Sequence, residues 1–267
     1  SNVTNMGYMF SDCSNLTTIY VSDKWNTDKV TSSYEMFKDC KKLPNYNYSK
    51  TNKTNAHYGE GGYLTYKAAS TSSKLKKTLT AFTQSLRPLQ VEAAEATLAQ
   101  GTSGTCTWTI SAEGELIIKP TNGTEGTLRS MDINNIPWDK NKEDIKTVRF
   151  EGIVHGYNSC RYMFGYCRNV TSIDLTGFDT SKVTSMDEMF RACYDLTSIN
   201  FTGFNTSKVT DMSQMFYDCT KLTALDLSSF DTSNVTNMNS MFYNCNLNKS
   251  LNVSSFNTSK VTDMGVM

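Results

Sequence analysis

The sequence has few of the residues that would indicate a catalytic, zinc-binding or nucleic-acid-binding protein. Only two histidines, His57 and His155, occur among 267 residues. Lysine plus arginine equals aspartate plus glutamate at 26 each, and no basic stripe is interleaved with aromatics, so no nucleic-acid partner is expected. No C-x-x-C pair, H-x-x-x-H pair, glycine-rich phosphate loop or nucleophile-base-acid set can be identified. We therefore predict no catalytic residue, no metal site and no cofactor.

Long apolar runs are also missing. No segment approaches the roughly 18 apolar residues that a transmembrane helix requires, so no membrane insertion is expected. We find no intact signal peptide or anchor, and we expect a mature or trimmed fragment.

What the sequence does contain is a repeat of 26 residues. Residues 177–202 read GFDTSKVTSMDEMFRACYDLTSINFT, and closely similar blocks follow at 203–228 and 229–254. Valine, cysteine and phenylalanine recur at this fixed interval: Val183, Val209, Val235 and Val261; Cys167, Cys193, Cys219 and Cys245; Phe178, Phe204, Phe230 and Phe256. A period of this length with apolar residues at fixed phases is typical of a leucine-rich solenoid, whose units bury their apolar faces against each other.

Each repeat is predicted to contain one short parallel strand and one short helical turn. The segment LTSINF from Leu196 to Phe201 is the predicted strand, and Leu222, Leu225 and Leu227 repeat its apolar spacing. The block from Met212 to Cys219 (M-x-x-M-F-x-x-C) has helical spacing, which would place its apolar side chains on one buried face. The predicted fold class is thus a β-rich α/β solenoid of the leucine-rich-repeat kind.

These units resemble the BspA-like bacterial surface leucine-rich repeats, in the branch that carries F-(D/N)-T-S-x-V-T-x-M-x-x-M-F-x-x-C-x-x-L-T-x-L-x-L. The resemblance covers residues 1–43 and 158–267. It implies an extracellular, cell-surface or secreted protein that serves in adhesion or binding.

The eight cysteines would normally suggest disulfides in a secreted protein. Six of them hold one repeat phase, however, and parallel side chains on stacked repeats point the same way, which is poor geometry for bridging. We predict a column of buried free thiols at Cys13, Cys40, Cys167, Cys193, Cys219 and Cys245. Cys160 replaces a core methionine of its sister repeats, and the state of Cys106 is left open.

The chain divides into five segments in an unusual order. We predict two leucine-rich repeats at 1–43, a C-terminal cap at 44–67, a helical linker at 68–103, an N-terminal β-hairpin cap at 104–157 and about four and a half repeats at 158–267. The linker carries a basic amphipathic pattern that favours a helix docked on its own solenoid, with a membrane-bound or partner-bound helix as the alternative. We attribute the cap order to gene fusion or rearrangement.

Both chain ends cut through a repeat at the same phase. Ser1-Asn2-Val3 matches Ser259-Lys260-Val261, and uncapped repeat ends expose apolar surface and strand edges. We predict head-to-tail contact between these ends, within one chain or between chains.

Two columns alternate Asp with Asn along the repeats: Asp174, Asn200, Asp226 and Asn252 on the strand face, and Asp179, Asn205, Asp231 and Asn257 in the following turn. Because adjacent carboxylates would repel while an intervening Asn can donate to a neighbour, we expect hydrogen-bonding ladders. Weak calcium binding is the alternative. The flat polar strand face is the candidate recognition surface, formed by Ser172, Asp174, Thr176, Ser198, Asn200, Thr202, Asp226 and Ser228.

The sequence therefore favours a non-enzymatic module that binds a host protein or glycan at the cell surface or after secretion. The alternative is a structural spacer or self-assembling stalk without a ligand.

Overall fold

The computed structural model describes residues 2–21, 25–57, 60–66, 96–247 and 250–267. Within these residues it contains twelve short strands, two 3₁₀ turns at Lys53–Asn55 and Asp139–Asn141, and no α-helix. The strands are β1 Thr18–Val21, β2 Thr65–Tyr66, β3 Thr97–Ser103, β4 Cys106–Ser111, β5 Glu115–Pro120, β6 Glu125–Thr127, β7 Thr147–Phe150, β8 Ile153–His155, β9 Ser172–Asp174, β10 Phe178–Asp179, β11 Ser198–Asn200 and β12 Ser250–Asn252.

The strands form three sheets whose pairing is mostly parallel. One sheet has the order β11-β9-β7-β5-β4-β3, a second has β10-β8-β6, and a third has β12-β1-β2. All pairs are parallel except β3 with β4 and β4 with β5. The molecule is therefore a parallel β-solenoid of the leucine-rich-repeat kind, as predicted. We refer to one turn of this solenoid as a rung.

The antiparallel part is the N-terminal hairpin cap. Cys106, Trp108 and Ile110 of β4 are buried, and Trp108 faces Ile118 of β5 in an antiparallel pair. Its turn contains Gly114, whose φ of +91° is a conformation that glycine adopts without a Cβ penalty. The strand β3 extends this cap at its edge. Thr97–Ser103 is therefore β structure, although it was predicted as the end of the helical linker, and the rest of that linker up to residue 95 lies outside the described residues.

The core consists of side-chain columns that run from rung to rung. Phe164, Phe190, Phe216 and Phe242 stack with ring centroids 5.5–5.9 Å apart and are nearly or fully buried. Burying a phenylalanine contributes about 1.5–3 kcal/mol. The valine, methionine and cysteine columns lie beside this stack in the same interior. The predicted sharing of columns between repeats is confirmed.

All eight cysteines are free thiols. The predicted column of buried thiols holds for Cys40, Cys167, Cys193, Cys219 and Cys245, whereas Cys13 is only half-buried. Cys106, whose state was open, is a buried thiol in β4 of the cap. Burial raises the pKa of Cys106 to about 11.

The predicted helical turn is wrong. In the block from Met186 to Cys193, Glu188 and Ala192 have φ values of +57° and +56°, and the same two phases are left-handed in the other rungs. The N–H groups of Met189 and Cys193 each donate three residues back, to Met186 and Phe190, and thus close tight turns. Alternate N–H groups donate to the next rung instead, as Ala192 does to Tyr217 at 2.7 Å. The block is therefore a series of tight turns and not a helix, because its N–H groups donate alternately within the block and to the neighbouring rung.

Threonine hydroxyls tie the rungs together at the corner after the phenylalanine. The hydroxyl of Thr206 donates to the carbonyl of Asp231 at 2.9 Å and accepts the Asp231 N–H at 2.8 Å. Thr180 and Thr232 repeat this double bond one rung before and one rung after. All three threonines are at most 1% exposed. Each hydroxyl thus replaces a pair of backbone hydrogen bonds in the interior.

The rungs are stacked in an order that differs from their order in the chain. A column of parallel β-bridges runs from Ser159 through Ser185, Asp211, Asn237 and Asp263, and then continues into Asn5 and Ser32. The first repeats of the chain therefore follow the last repeats in space. Tyr63 of the predicted C-terminal cap is fully buried with its ring edge on Phe37 at 5.2 Å, at the far end of the stack.

The two sides of the solenoid have unequal numbers of rungs where the chain ends meet. On the strand side β12 pairs directly with β1, with Leu251 opposite Ile19. On the bridge side, residues 261–267 and 2–9 both lie between the flanking rungs. We refer to this region as the junction and to the additional segment as the surplus half-rung. The strand predicted through Leu222, Leu225 and Leu227 is not formed, and we attribute this break in the sheet to the unequal rung numbers nearby.

Candidate functional site

The strand face lies on the exposed side of β7, β9 and β11. In these strands Val148 and Ile173 are buried and Ile199 is half-buried, while the alternate residues point outward. The parallel register places Ser198 opposite Ser172 and Asn200 opposite Asp174. The sequence pattern therefore places one polar row on the surface of the sheet.

The structure brings six of the eight predicted face residues together. Ser172 is half-buried, and the others are exposed: Asp174, Thr176, Ser198, Asn200 and Thr202. Asp226 and Ser228 are also exposed, but they belong to the next rung, which the hydrogen-bonded sheet does not reach.

The predicted ladder exists at one step of the strand-face column. The side-chain amide of Asn200 donates to Oδ1 of Asp174 at 3.0 Å and to Oγ1 of Thr176 at 3.1 Å. Asp174 also accepts the backbone N–H of Thr176 at 3.0 Å. These bonds hold the two side chains in place, and a fixed polar array loses less conformational entropy on binding than a mobile one.

The second column does not form the predicted ladder. Asp179, Asn205, Asp231 and Asn257 each accept the backbone N–H two residues further along, at 2.9–3.1 Å, and so close local turns. Bonds between rungs at this corner are made by the neighbouring threonines instead. The sequence could not separate these roles, because Asp or Asn and Thr are adjacent and equally periodic.

Charged residues missed by the sequence reasoning border the polar row. Arg149 in β7 donates from Nε to Oε1 of Glu115 in β5 at 2.9 Å and pairs with Glu151 through another guanidinium nitrogen. Arg149 and Glu115 border a shallow, open trough that they share with the polar row; its polar lining is Glu115, Thr147, Arg149, Ser172, Asp174, Ser198 and Asn200. The sequence could have indicated Arg149, because polar and apolar residues alternate in the segment TVRF. This alternation places Arg149 on the same face as Ser172 and Asp174.

A different surface carries stacked aromatic and arginine side chains on the outside of the turn blocks. The guanidinium of Arg191 lies 4.5 Å from the ring centroid of Tyr217, which stacks on Tyr243 at 4.7 Å. Because these groups cover each other's faces, they present ring edges rather than an open platform. They stabilise neighbouring rungs, and the exposed trough remains the better candidate for recognition.

His155 is held between two carboxylates at the corner formed by β6, β8 and β10. Its Nδ1 lies 2.7 Å from Oδ2 of Asp179, and its Nε2 lies 2.6 Å from Oε1 of Glu125. Burial alone would lower its pKa, but the two carboxylates outweigh this effect and raise the pKa above the ordinary 6.5. Both ring nitrogens are engaged, so the arrangement is a clamp between three strands rather than a base beside a nucleophile.

The clamp predicts a stability that falls at alkaline pH. A histidine whose folded pKa is raised stabilises the protein fully below pH 6.5 and loses that contribution as the pH rises through the folded pKa. Denaturant midpoints should therefore decrease between pH 6 and pH 8.5 in the wild type. His155→Gln, which keeps one polar contact but cannot titrate, should show a smaller decrease. Equal pH profiles for the two proteins would contradict the assignment.

Two further features bear on membrane and metal binding. Among the described residues, no helix has the length and apolarity needed to cross a membrane. The same part of the chain contains no group of three or more His, Cys, Asp or Glu side chains placed to hold a metal ion.

The rung architecture and its threonine, cysteine and phenylalanine columns define a leucine-rich-repeat-like solenoid. The chain belongs to the family described as "Mycoplasma protein of unknown function, DUF285", whose model matches residues 1–93 and 158–267. Among solved structures, the chain is similar to a leucine-rich repeat protein from Eubacterium ventriosum ATCC 27560, with 18% identity and a TM-score of 0.29. That match covers 61% of this chain and 43% of the other protein, so the chain spans less than half of its length. No curated protein matches the chain.

Proposed function

We propose that this protein is a non-enzymatic binding module of the BspA-like kind, located at the cell surface or secreted, that recognises a host protein or glycan. The proposal depends mainly on one observation, the exposed trough on the strand face. Its side chains are short, polar and partly fixed by hydrogen bonds between rungs, as between Asn200 and Asp174. Solenoids offer extended binding surfaces of this kind along their stacked strands.

The chemistry of the trough suits hydrogen bonding to a polar ligand. Hydroxyls of Ser172 and Ser198 and the carboxylate of Asp174 lie beside the Arg149–Glu115 ion pair. This combination offers donors and acceptors to the hydroxyls of a glycan or to the backbone of a protein. If the charge at the centre of this surface is reversed, it should repel a ligand whose own charges complement the original surface.

The test is a screen of glycans and extracellular-matrix proteins, followed by affinity measurements on variants. Asp174→Lys should weaken binding by about tenfold or more. A tenfold loss of affinity corresponds to about 1.4 kcal/mol, which the reversal of one charge within a complementary surface can account for. Glu60→Lys makes the same charge change at an exposed position of the C-terminal cap and should leave the affinity unchanged. Loss of affinity in both variants would contradict recognition by the trough. If no ligand is found and both variants behave as wild type, the spacer function is favoured instead.

A further inference from the structure

The stack of arginine and tyrosine side chains on the outside of the turn blocks ends at Tyr243. The guanidinium of Arg191 covers one face of the Tyr217 ring at 4.5 Å, and Tyr243 covers the other face at 4.7 Å. Tyr243 has a stacking neighbour on one face only, and its side chain is 36% exposed. It is therefore the exception among these rings, because part of its π surface is left uncovered.

An open pocket at the junction borders the uncovered side of Tyr243. Three residues from each of two facing rungs line this pocket: Ser11, Asp12, Cys13, Tyr243, Asn244 and Cys245. Tyr217 lies in the rung before Tyr243, whereas Asp12 lies beyond it, so the pocket adjoins the ring face that Tyr217 does not cover. A hydrogen bond of 3.3 Å between the side chains of Asn15 and Asn246 holds the two rungs together beside the pocket.

The polar side chains of this pocket offer mainly hydrogen-bond acceptors. The carboxylate of Asp12 is exposed and accepts the hydroxyl of Ser11 at 2.9 Å, and among the described residues it forms no ion pair. Lys38, in the rung beyond Asp12, pairs with Glu35 at 3.0 Å instead. The amide nitrogen of Asn244 donates to Asp218 at 2.8 Å, which leaves the amide oxygen as an acceptor. No lysine, arginine or histidine lines the pocket.

The same three kinds of group hold Arg191 at the other end of the stack. Nη1 of Arg191 donates to the carboxylate of Glu188 at 2.9 Å and also to the side-chain oxygen of Gln214. Its guanidinium plane lies over the ring of Tyr217. The fold thus binds one of its own arginines through a carboxylate, an amide oxygen and a tyrosine face. The pocket presents these three groups again, without an arginine of its own.

We propose that the pocket binds an arginine side chain of a partner protein. The guanidinium stacks on Tyr243 and donates to the carboxylate of Asp12 and the amide oxygen of Asn244. Arginine suits these groups better than lysine, because its planar guanidinium stacks on a ring while its N–H groups donate sideways. Pairing with a carboxylate adds charge-assisted hydrogen bonds. The pocket shares no residue with the strand-face trough, so its test is independent of the ligand proposed there.

The experiment titrates N-acetyl-argininamide into the full, isotope-labelled chain and follows it by NMR. We expect saturable shifts of the Tyr243 ring signals and of the Asn244 backbone amide, and added salt should weaken the binding. N-acetyl-citrullinamide has nearly the same shape but no charge, and N-acetyl-lysinamide has the charge but no plane. Both should bind about fivefold or more weakly than the arginine derivative. This comparison uses the wild-type chain alone, so it does not depend on the folding of any variant.

Variants then test the two main contacts. Asp12→Asn and Tyr243→Ala should each weaken binding of the arginine derivative about fivefold or more, whereas Tyr243→Phe keeps the ring face and should retain the affinity. Asp39→Asn is the matched control, since Asp39 has the phase of Asp12 in the next rung but pairs with Lys41 at 2.9 Å. It should bind as the wild type does. Equal affinities for the arginine derivative and either analogue would overturn the proposal. An unchanged affinity in Asp12→Asn, or no shifts at the pocket, would overturn it as well.

Discussion

A chain that lacks residues 1–9 should fold with stability equal to or greater than that of the full chain, and a chain that lacks residues 259–267 should do so too. A chain that lacks both segments should lose about 5 kcal/mol or more of unfolding free energy, since it exposes several buried valine, methionine and phenylalanine side chains. The expected tolerance of the single deletions is unusual. Val3, Met6 and Met9 are all buried, and deletion of buried residues ordinarily destabilises a protein.

The expectation follows from the register of the junction. Residues 1–9 read SNVTNMGYM and residues 259–267 read SKVTDMGVM, so both segments offer the same inward valine and methionines. The direct pairing of β12 with β1 leaves room for one such segment on the bridge side, yet both are present. Removing either one equalises the rung numbers and should close the apolar crevice that Trp25, Phe256 and Met264 line at the junction.

Chemical denaturation of the three deletion variants and the full chain provides the measurement. Hydrogen exchange around Trp25 and Phe256 reports whether the crevice closes. If either single deletion costs as much as the double deletion, the two segments are not interchangeable and the register argument is wrong.

Thr206→Val should destabilise the protein by about 2–5 kcal/mol. Valine has nearly the shape of threonine, but it removes both hydrogen bonds between the buried Thr206 hydroxyl and the part-buried backbone N–H and carbonyl of Asp231, and each group left unsatisfied costs about 1–3 kcal/mol. Thr206→Ser keeps the hydroxyl and should cost much less. The free energy of unfolding from denaturant titration measures both variants.

Thr210 supplies a matched control in the same rung. Its hydroxyl also donates to the preceding rung, to Thr184 at 3.1 Å, but its side chain is exposed. Water can replace this bond, so Thr210→Val should cost less than about 1 kcal/mol. Equal losses for Thr206→Val and Thr210→Val would show that burial does not determine the strength of the threonine column.

The interior could be predicted from the sequence because it consists of identical apolar residues at one spacing. Cys193, Cys219 and Phe216 were assigned to shared columns, and they lie there. The backbone between them could not be predicted in the same way. Glu188 and Ala192 have left-handed φ values although neither is glycine or asparagine, so a spacing compatible with a helix concealed a series of turns. The available signal was the Asp or Asn that four other rungs carry at the phase of Ala192: Asp12, Asp39, Asp218 and Asn244.

The candidate site was predictable to a similar degree. Alternation along the strands identified Asp174 and Asn200 as exposed neighbours, and the structure pairs them. Arg149 and Glu115 were missed because they belong to the cap, which has no repeat to compare. The junction was predicted only as contact between chain ends. Which rungs pair there depends on tertiary packing, since both ends carry the same phase.

The left-handed residues also determine how cooperatively the array should unfold. Each rung places two non-glycine residues in a conformation that costs about 1–2 kcal/mol apiece. An isolated rung has nothing to offset that cost, but a neighbour does, through bonds such as Ala192 N–H to Tyr217 and Glu188 N–H to Ser213. Intrinsic rung stability is thus unfavourable while the coupling between neighbours is strongly favourable. In a one-dimensional array this combination suppresses partly folded intermediates, so rungs should be lost together rather than one at a time.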